Sequence, residues 1–231
     1  MSRIIHLLGT DGAGKTTVAR RLAADLRSSG HRSSYLYCQH RPLLLWLFKL
    51  PARLLFMRRT DQFKNHDEYK SRKDAVAGKR LGLTKLYSLL SYFDVWLQTW
   101  PRLAVARFRS DLIVVDRFYL DWVVNVGVLQ NNSIEAMLGD ARRLERVLPR
   151  AGLHVFLDVE EEVAFARKTD IQSVRYLRDR KARYLQLAPW FRFQCVDANQ
   201  PEDVVFDAVK ALVEAALASG HPFDEQVTQH G

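Results

Sequence analysis

Residues 3–17 read Arg3-Ile4-Ile5-His6-Leu7-Leu8-Gly9-Thr10-Asp11-Gly12-Ala13-Gly14-Lys15-Thr16-Thr17. A short aliphatic run leads into a glycine-rich turn, and a helical pattern follows from Lys15. Residues 9–16 fit the spacing G-x-x-x-x-G-K-[ST]. Glycines let the backbone curl so that successive N–H groups face one anion. The helix that opens at Lys15 adds the positive end of its dipole. Lys15 is then placed to reach the β and γ phosphates of a nucleotide, and the Thr16 hydroxyl to ligate Mg²⁺. Such fixed positions match by chance in a chain of this length on the order of one time in a hundred. The setting, after a strand and before a helix, is the one the motif requires.

The flanking sequence extends this start into an α/β pattern. Val18, Leu22 and Leu26 share one helical face up to about residue 29, and Gly30 stops the helix. Residues 33–38 form a second strand, so the chain opens as a βαβ unit with a parallel sheet. Residues 111–116 (Asp-Leu-Ile-Val-Val-Asp) and 153–158 (Leu-His-Val-Phe-Leu-Asp) are buried strands, aliphatic runs ending in carboxylates. Residues 191–197 are the last strand. Helices are expected over 81–108 with a break near Pro101, over 120–148 in two pieces, and over 160–168, 173–187 and 201–218. The chain reads as one domain over 1–220 with a frayed tail at 221–231.

The chain has 231 residues, 35 Lys plus Arg and 26 Asp plus Glu, a net charge of +9 that favours anionic partners. Basic residues are scattered, and no RNA- or DNA-binding motif occurs, so nucleic acid is not an expected partner. Two distant cysteines, Cys38 and Cys195, make neither a disulfide framework nor a metal site. Residues 1–8 are too short for a signal peptide, which points to the cytoplasm. Residues 42–59 mix Leu, Trp and Phe with Arg and Lys, and 60–80 are polar. The 42–59 stretch is too short and charged to span a bilayer. It suits an interfacial helix at a membrane, a cover over the acceptor site, or a homodimer contact.

Asp116 and Arg117 end a strand, and ligands of open α/β sheets bind at the carboxyl ends of strands. Asp116 can hold Mg²⁺ through water, and Arg117 can bridge donor and acceptor phosphates. The alternative is a buried ion pair that closes the strand. A basic run, Arg167, Lys168, Arg175, Arg178, Arg180, Lys181 and Arg183, follows the fourth strand. Arg167, Lys168 and Arg175 are the candidates for a lid that closes over the phosphoryl group. The others read as a solvated helix face.

These features together resemble the thymidylate kinase family of nucleoside monophosphate kinases. Asp11–Thr17 is similar to the family's D-G-x-G-K-T-T. Pro101-Arg102-Leu103-Ala104, followed by Val115-Asp116-Arg117-Phe118, is similar to its P-A-L and D-R-[YFW] segments. Leu153–Asp158 with an acidic helix start resembles Y-L-D-V-x-P-E-E, and Val196-Asp197-Ala198 resembles I-D-A. The resemblance implies a five-stranded parallel sheet with helices on both faces and a short basic lid. It implies transfer of the γ-phosphoryl of ATP, with Mg²⁺, to a nucleoside monophosphate such as dTMP. Asp11 would then sit near the acceptor sugar and metal, and Arg117 would bind the acceptor phosphate. Ala13, with Arg167 and Lys168 in the lid, matches members that carry no Arg within the loop.

The acceptor half departs from the pattern. Gln39-His40-Arg41-Pro42 stands where the family has R-E-P-G, and residues 87–100 carry no cation. Leu120-Asp121-Trp122-Val123-Val124-Asn125 replaces S-x-x-A-Y-Q. Arg41 suits an acceptor phosphate, while His40 could serve a hydroxyl acceptor as base. Gln98 and Phe93 are placed to hydrogen-bond and stack on a base. The acceptor is therefore a nucleotide, a deoxynucleoside, or a sugar- or lipid-linked hydroxyl.

Overall fold

The computed structural model describes residues 3–40, 43, 81–168 and 173–218, with side chains along the 81–109 helix described from Leu89 onward. Arg41, the 42–59 and 60–80 stretches apart from Leu43, and the 221–231 tail lie outside the described residues. The chain divides into two compact units, Met1–Gln39 with Thr99–Gly231, and His40–Gln98.

The first unit holds β1 (Arg3–Gly9), α1 (Lys15–Ser28), β2 (Ser33–Tyr37), the end of α2 (Leu81–Arg109) and β3 (Leu112–Asp116). It continues with α3 (Tyr119–Gln130), α4 (Ile134–Val147), β4 (Leu153–Asp158), α5 (Glu161–Ala166), α6 (Val174–Phe191), β5 (Gln194–Asp197) and α7 (Glu202–Ala218). The strands form one sheet in the order β2-β3-β1-β4-β5. Every pairing is parallel, with Leu7 opposite Asp116 and Gly9 opposite Leu157. The chain leaves β1 toward one edge for β2 and β3, and toward the other for β4 and β5. The order reverses at β1, so the crevice beyond its carboxyl end is where such sheets bind ligands.

Strand alternation assigns the two faces. Ile5, Leu7, Leu112, Val114, Val155 and Leu157 share a core with Val18, Leu22 and Leu26 of α1 and Val205, Val209 and Val213 of α7. His6, His154 and Phe156 point to the other face. There the His6 ring meets Phe118 and Tyr119, and the Phe156 ring lies 5.5 Å from Tyr184 of α6. The three inner strands β1, β3 and β4 are buried on both faces, which is why they read as near-continuous apolar runs.

Two expected boundaries moved. The break at Pro101 does not occur: α2 runs 29 residues with Pro101 inside it. A mid-helix proline removes one hydrogen bond, and burial of Leu103 and Ala106 in the following turns offsets that loss. Helix α6 continues to Phe191, with Pro189 inside, and ends where Arg192 turns left-handed at φ 49°. The last strand accordingly starts at Gln194 instead of residue 191. Among the described residues, no helix is long and apolar enough to cross a membrane.

Candidate active site

β1 delivers the chain into the glycine-rich turn at the sheet's carboxyl edge. Gly12 lies at φ 87°, and a Cβ there would sit 2.3 Å from the Ala164 carbonyl oxygen of α5. Only glycine lets the turn pass this close to the neighbouring helix. Gly14, at φ 82°, stands at the start of α1, and the buried Ala13 packs into the core beneath the turn.

Lys15 is buried, and its Nζ donates to the carbonyls of Gly9 at 2.9 Å and Thr10 at 2.6 Å. Its ammonium therefore lies along the inner wall of the turn. Burial, and then the nearby Arg117, lower its pKa to about 8 against the pull of Asp11. A buried cation weakened in this way gains from an anion that enters the turn.

Beside it, the Thr16 hydroxyl donates to Asp116 Oδ2 at 2.5 Å, and Tyr35 donates to the same oxygen at 3.3 Å. Asp116 is fully buried, and its Oδ1 has no hydrogen-bond partner among the described residues. A buried carboxylate oxygen left open beside a threonine hydroxyl, at the glycine-rich turn, fits Mg²⁺ held mainly by water and phosphate oxygens. No group of three or more His, Cys, Asp or Glu gathers among the described residues; a Mg²⁺ site of this kind needs none.

Arg117 follows at φ 62°, a left-handed backbone that residues other than glycine adopt uncommonly. Its guanidinium donates to Asp11 Oδ1. The other oxygen of Asp11 takes Arg180 Nη1 at 2.6 Å. Burial opposes the charge on Asp11, but Arg180, Arg117 and Lys15 outweigh it and hold the carboxyl well below the usual range. Burial likewise opposes the charge on Arg117, and Asp11 more than offsets it. The expectation that Arg180 belongs to a solvated helix face is corrected: it is 1% exposed.

Asp121 forms a hub behind this cluster. Its Oδ2 lies 2.9 Å from His6 Nε2 and accepts the Phe118 N–H at 3.0 Å, while Tyr184 donates to Oδ1 at 2.8 Å. Burial would raise its pKa, but His6 lowers it to about 2, with Lys15 and Arg117 adding to the effect. The Nδ1 atoms of His6 and His154 are 3.2 Å apart, and burial holds His154 well below the usual histidine range. Sequence reasoning gave no role to His6, Asp121, Tyr184 or Arg180. The available signals were a histidine within an aliphatic strand and a carboxylate within the apolar start of α3.

A cleft of about 410 Å³ opens on the outer side of the turn, lined by Gly12, Gly14, Thr17, Arg167, Lys168 and Gln200 among others. Arg167 also donates to the Ala198 carbonyl at 3.0 Å. Arg175 is exposed on the first turn of α6 and is not part of that lining. Phe118, the aromatic residue of the D-R-[YFW]-like segment and a candidate acceptor contact, is buried edge-on against Tyr119 at 4.7 Å. In the second unit, Gln98 Nε2 donates to Asp94 at 3.5 Å, and the Phe93 ring lies 5.5 Å from Trp96.

No family model matches the chain. It is similar to a curated protein of Archaeoglobus fulgidus named probable thymidylate kinase, with 25% identity over 221 residues. The match covers 93% of this chain and 96% of that protein. This is a distant relationship that extends over almost the whole of both chains.

Proposed function

We propose that the chain is an ATP-dependent phosphotransferase that moves the γ-phosphoryl group of ATP to a nucleoside monophosphate such as dTMP. One observation carries the reading. Lys15, Asp11 and Arg117 meet at the carboxyl ends of β1 and β3, with the Thr16–Asp116 pair beside them.

The distant relative's name agrees with it. In this reading the phosphates of ATP lie in the Gly9–Thr17 turn, cradled by backbone N–H groups and the start of α1. The nucleoside end of ATP occupies the cleft beside Thr17, Arg167 and Lys168. Lys15 exchanges its carbonyl partners for phosphate oxygens, and Arg117 stabilises the charge of the group in transit. Thr16 and Asp116 would hold Mg²⁺, which would supply neutralising charge to the phosphates.

The carboxylates of the site favour a phosphate acceptor over a hydroxyl. A hydroxyl needs a general base poised near neutral pH, whereas a monophosphate arrives ionised. Asp11 is held by two guanidiniums, Asp121 lies at about 2, and Asp116 accepts from Thr16. Asp11 and Asp121 are thus not bases poised for a deoxynucleoside or a sugar- or lipid-linked hydroxyl, and His40 is the residue that such an acceptor would need.

A turnover assay with Mg-ATP tests this across dTMP, dUMP, dCMP, UMP, CMP, AMP, GMP, thymidine and deoxycytidine. Turnover confined to phosphate-bearing acceptors, with dTMP among the best, is the expected result. Turnover with thymidine or deoxycytidine but no monophosphate would overturn the acceptor assignment.

A further inference from the structure

Arg180 stands in the middle of α6, 1% exposed, in a run of basic residues whose other members reach solvent more freely. Burying a guanidinium completely is costly unless every donor is satisfied. Here that condition is not met. Nη1 donates to Asp11 at 2.6 Å and to Tyr176 at 3.2 Å, while Nη2 reaches Tyr184 only at 3.4 Å. Nε has no partner among the described residues. Burial opposes the charge, yet Tyr184, Tyr176 and Asp11 keep the guanidinium firmly protonated. An arrangement tuned only for stability would not leave a donor of a buried cation open.

What Arg180 does hold is Asp11, the carboxylate to which Arg117 donates. From the same helix, four residues on, Tyr184 donates to Asp121, which accepts the N–H of Phe118, the residue after Arg117. Helix α6 thus grips both ends of Arg117: its guanidinium through Asp11, and its left-handed backbone through Phe118. We infer that Arg180 is a positioning residue that acts through Asp11 to fix where the Arg117 guanidinium points. Only the kinetic arm of its test rests on the phosphotransferase reading.

The test is Arg180→Gln, with Arg180→Lys as the charge-keeping rescue. In the folded chain, exchange of the Arg117 guanidinium protons is followed by NMR, and turnover is followed with Mg-ATP and the best acceptor. Arg180→Gln speeds exchange at Arg117 and lowers kcat roughly tenfold or more, with the KM for ATP within about twofold of the parent value. Arg180→Lys restores part of both. Should Arg180→Gln not fold, Tyr184→Phe is measured in its place, with the same directions expected. Unchanged exchange at Arg117 overturns the inference, and so does an unchanged kcat. If the parent chain turns over no acceptor, the proposed function has failed, and the exchange arm alone decides the role of Arg180.

Discussion

At the scale of single residues, the site is defined by which charges are left without a full complement. Lys15 rests on two backbone carbonyls and is weakened by burial. Its removal relieves a buried charge, so Lys15→Ala keeps or raises the melting temperature while phosphoryl transfer falls by orders of magnitude. Near-normal turnover would refute its assignment. Arg117→Ala is expected to lower kcat far more than ATP affinity, because in the proposed function Arg117 meets the group in transit and not the nucleoside. If that variant lost only stability, Asp11 and Arg117 would be a closing ion pair and nothing more. The placement of Lys15 and Arg117 at one sheet edge was legible because it follows from neighbours in the sequence. Arg180 was not, because its partner Asp11 lies 169 positions away, and a charge run carries no mark of the one member that turns inward.

At the scale of elements, two junctions hold the site. The first is the turn against α5. Gly12→Ala would drive a Cβ to 2.3 Å from the Ala164 carbonyl at a φ of 87°. The left-handed backbone alone costs about 1–2 kcal/mol, and the clash adds to it. Both the melting temperature and Mg-ATP binding are expected to fall; calorimetry that finds binding intact would contradict the close approach. The second junction is Asp121, which ties β1 through His6, the start of α3 through Phe118, and α6 through Tyr184. Its pKa drops from 3.8 to about 2 on folding. A carboxyl depressed in this way adds stability above its unfolded pKa and loses it as pH falls through the folded one. The contribution, on the order of 2 kcal/mol, disappears between about pH 4 and pH 2. Asp121→Asn should remove that step from the acid-unfolding curve, and an unchanged curve would show that the hub does not carry it. The strands and α1 were readable from aliphatic runs and a 3.6 period. The uninterrupted α2 was not, because a proline's local cost says nothing about burial in the turns beyond it.

At the scale of the molecule, the strand order β2-β3-β1-β4-β5 brings three sequence-distant segments to one sheet edge. The turn after β1, Asp116-Arg117 at the end of β3, and α5 after β4 meet there. Local patterns predicted that a parallel sheet would form and that strand ends would carry function. They did not specify the polar layer on the second face, which exists only once α6 sets Tyr184 against Phe156 of β4 and Asp121 of α3. The net charge of +9 suits the polyanionic ligands of the proposed function. The most direct measurement is the transfer of label from [γ-³²P]ATP to dTMP in the presence of Mg²⁺, by the parent chain and by Lys15→Ala. Labelled dTDP from the parent and almost none from the variant is the predicted result. Equal labelling by both, or ATP consumed by the parent with label only in free phosphate, would contradict a phosphotransferase centred on this turn.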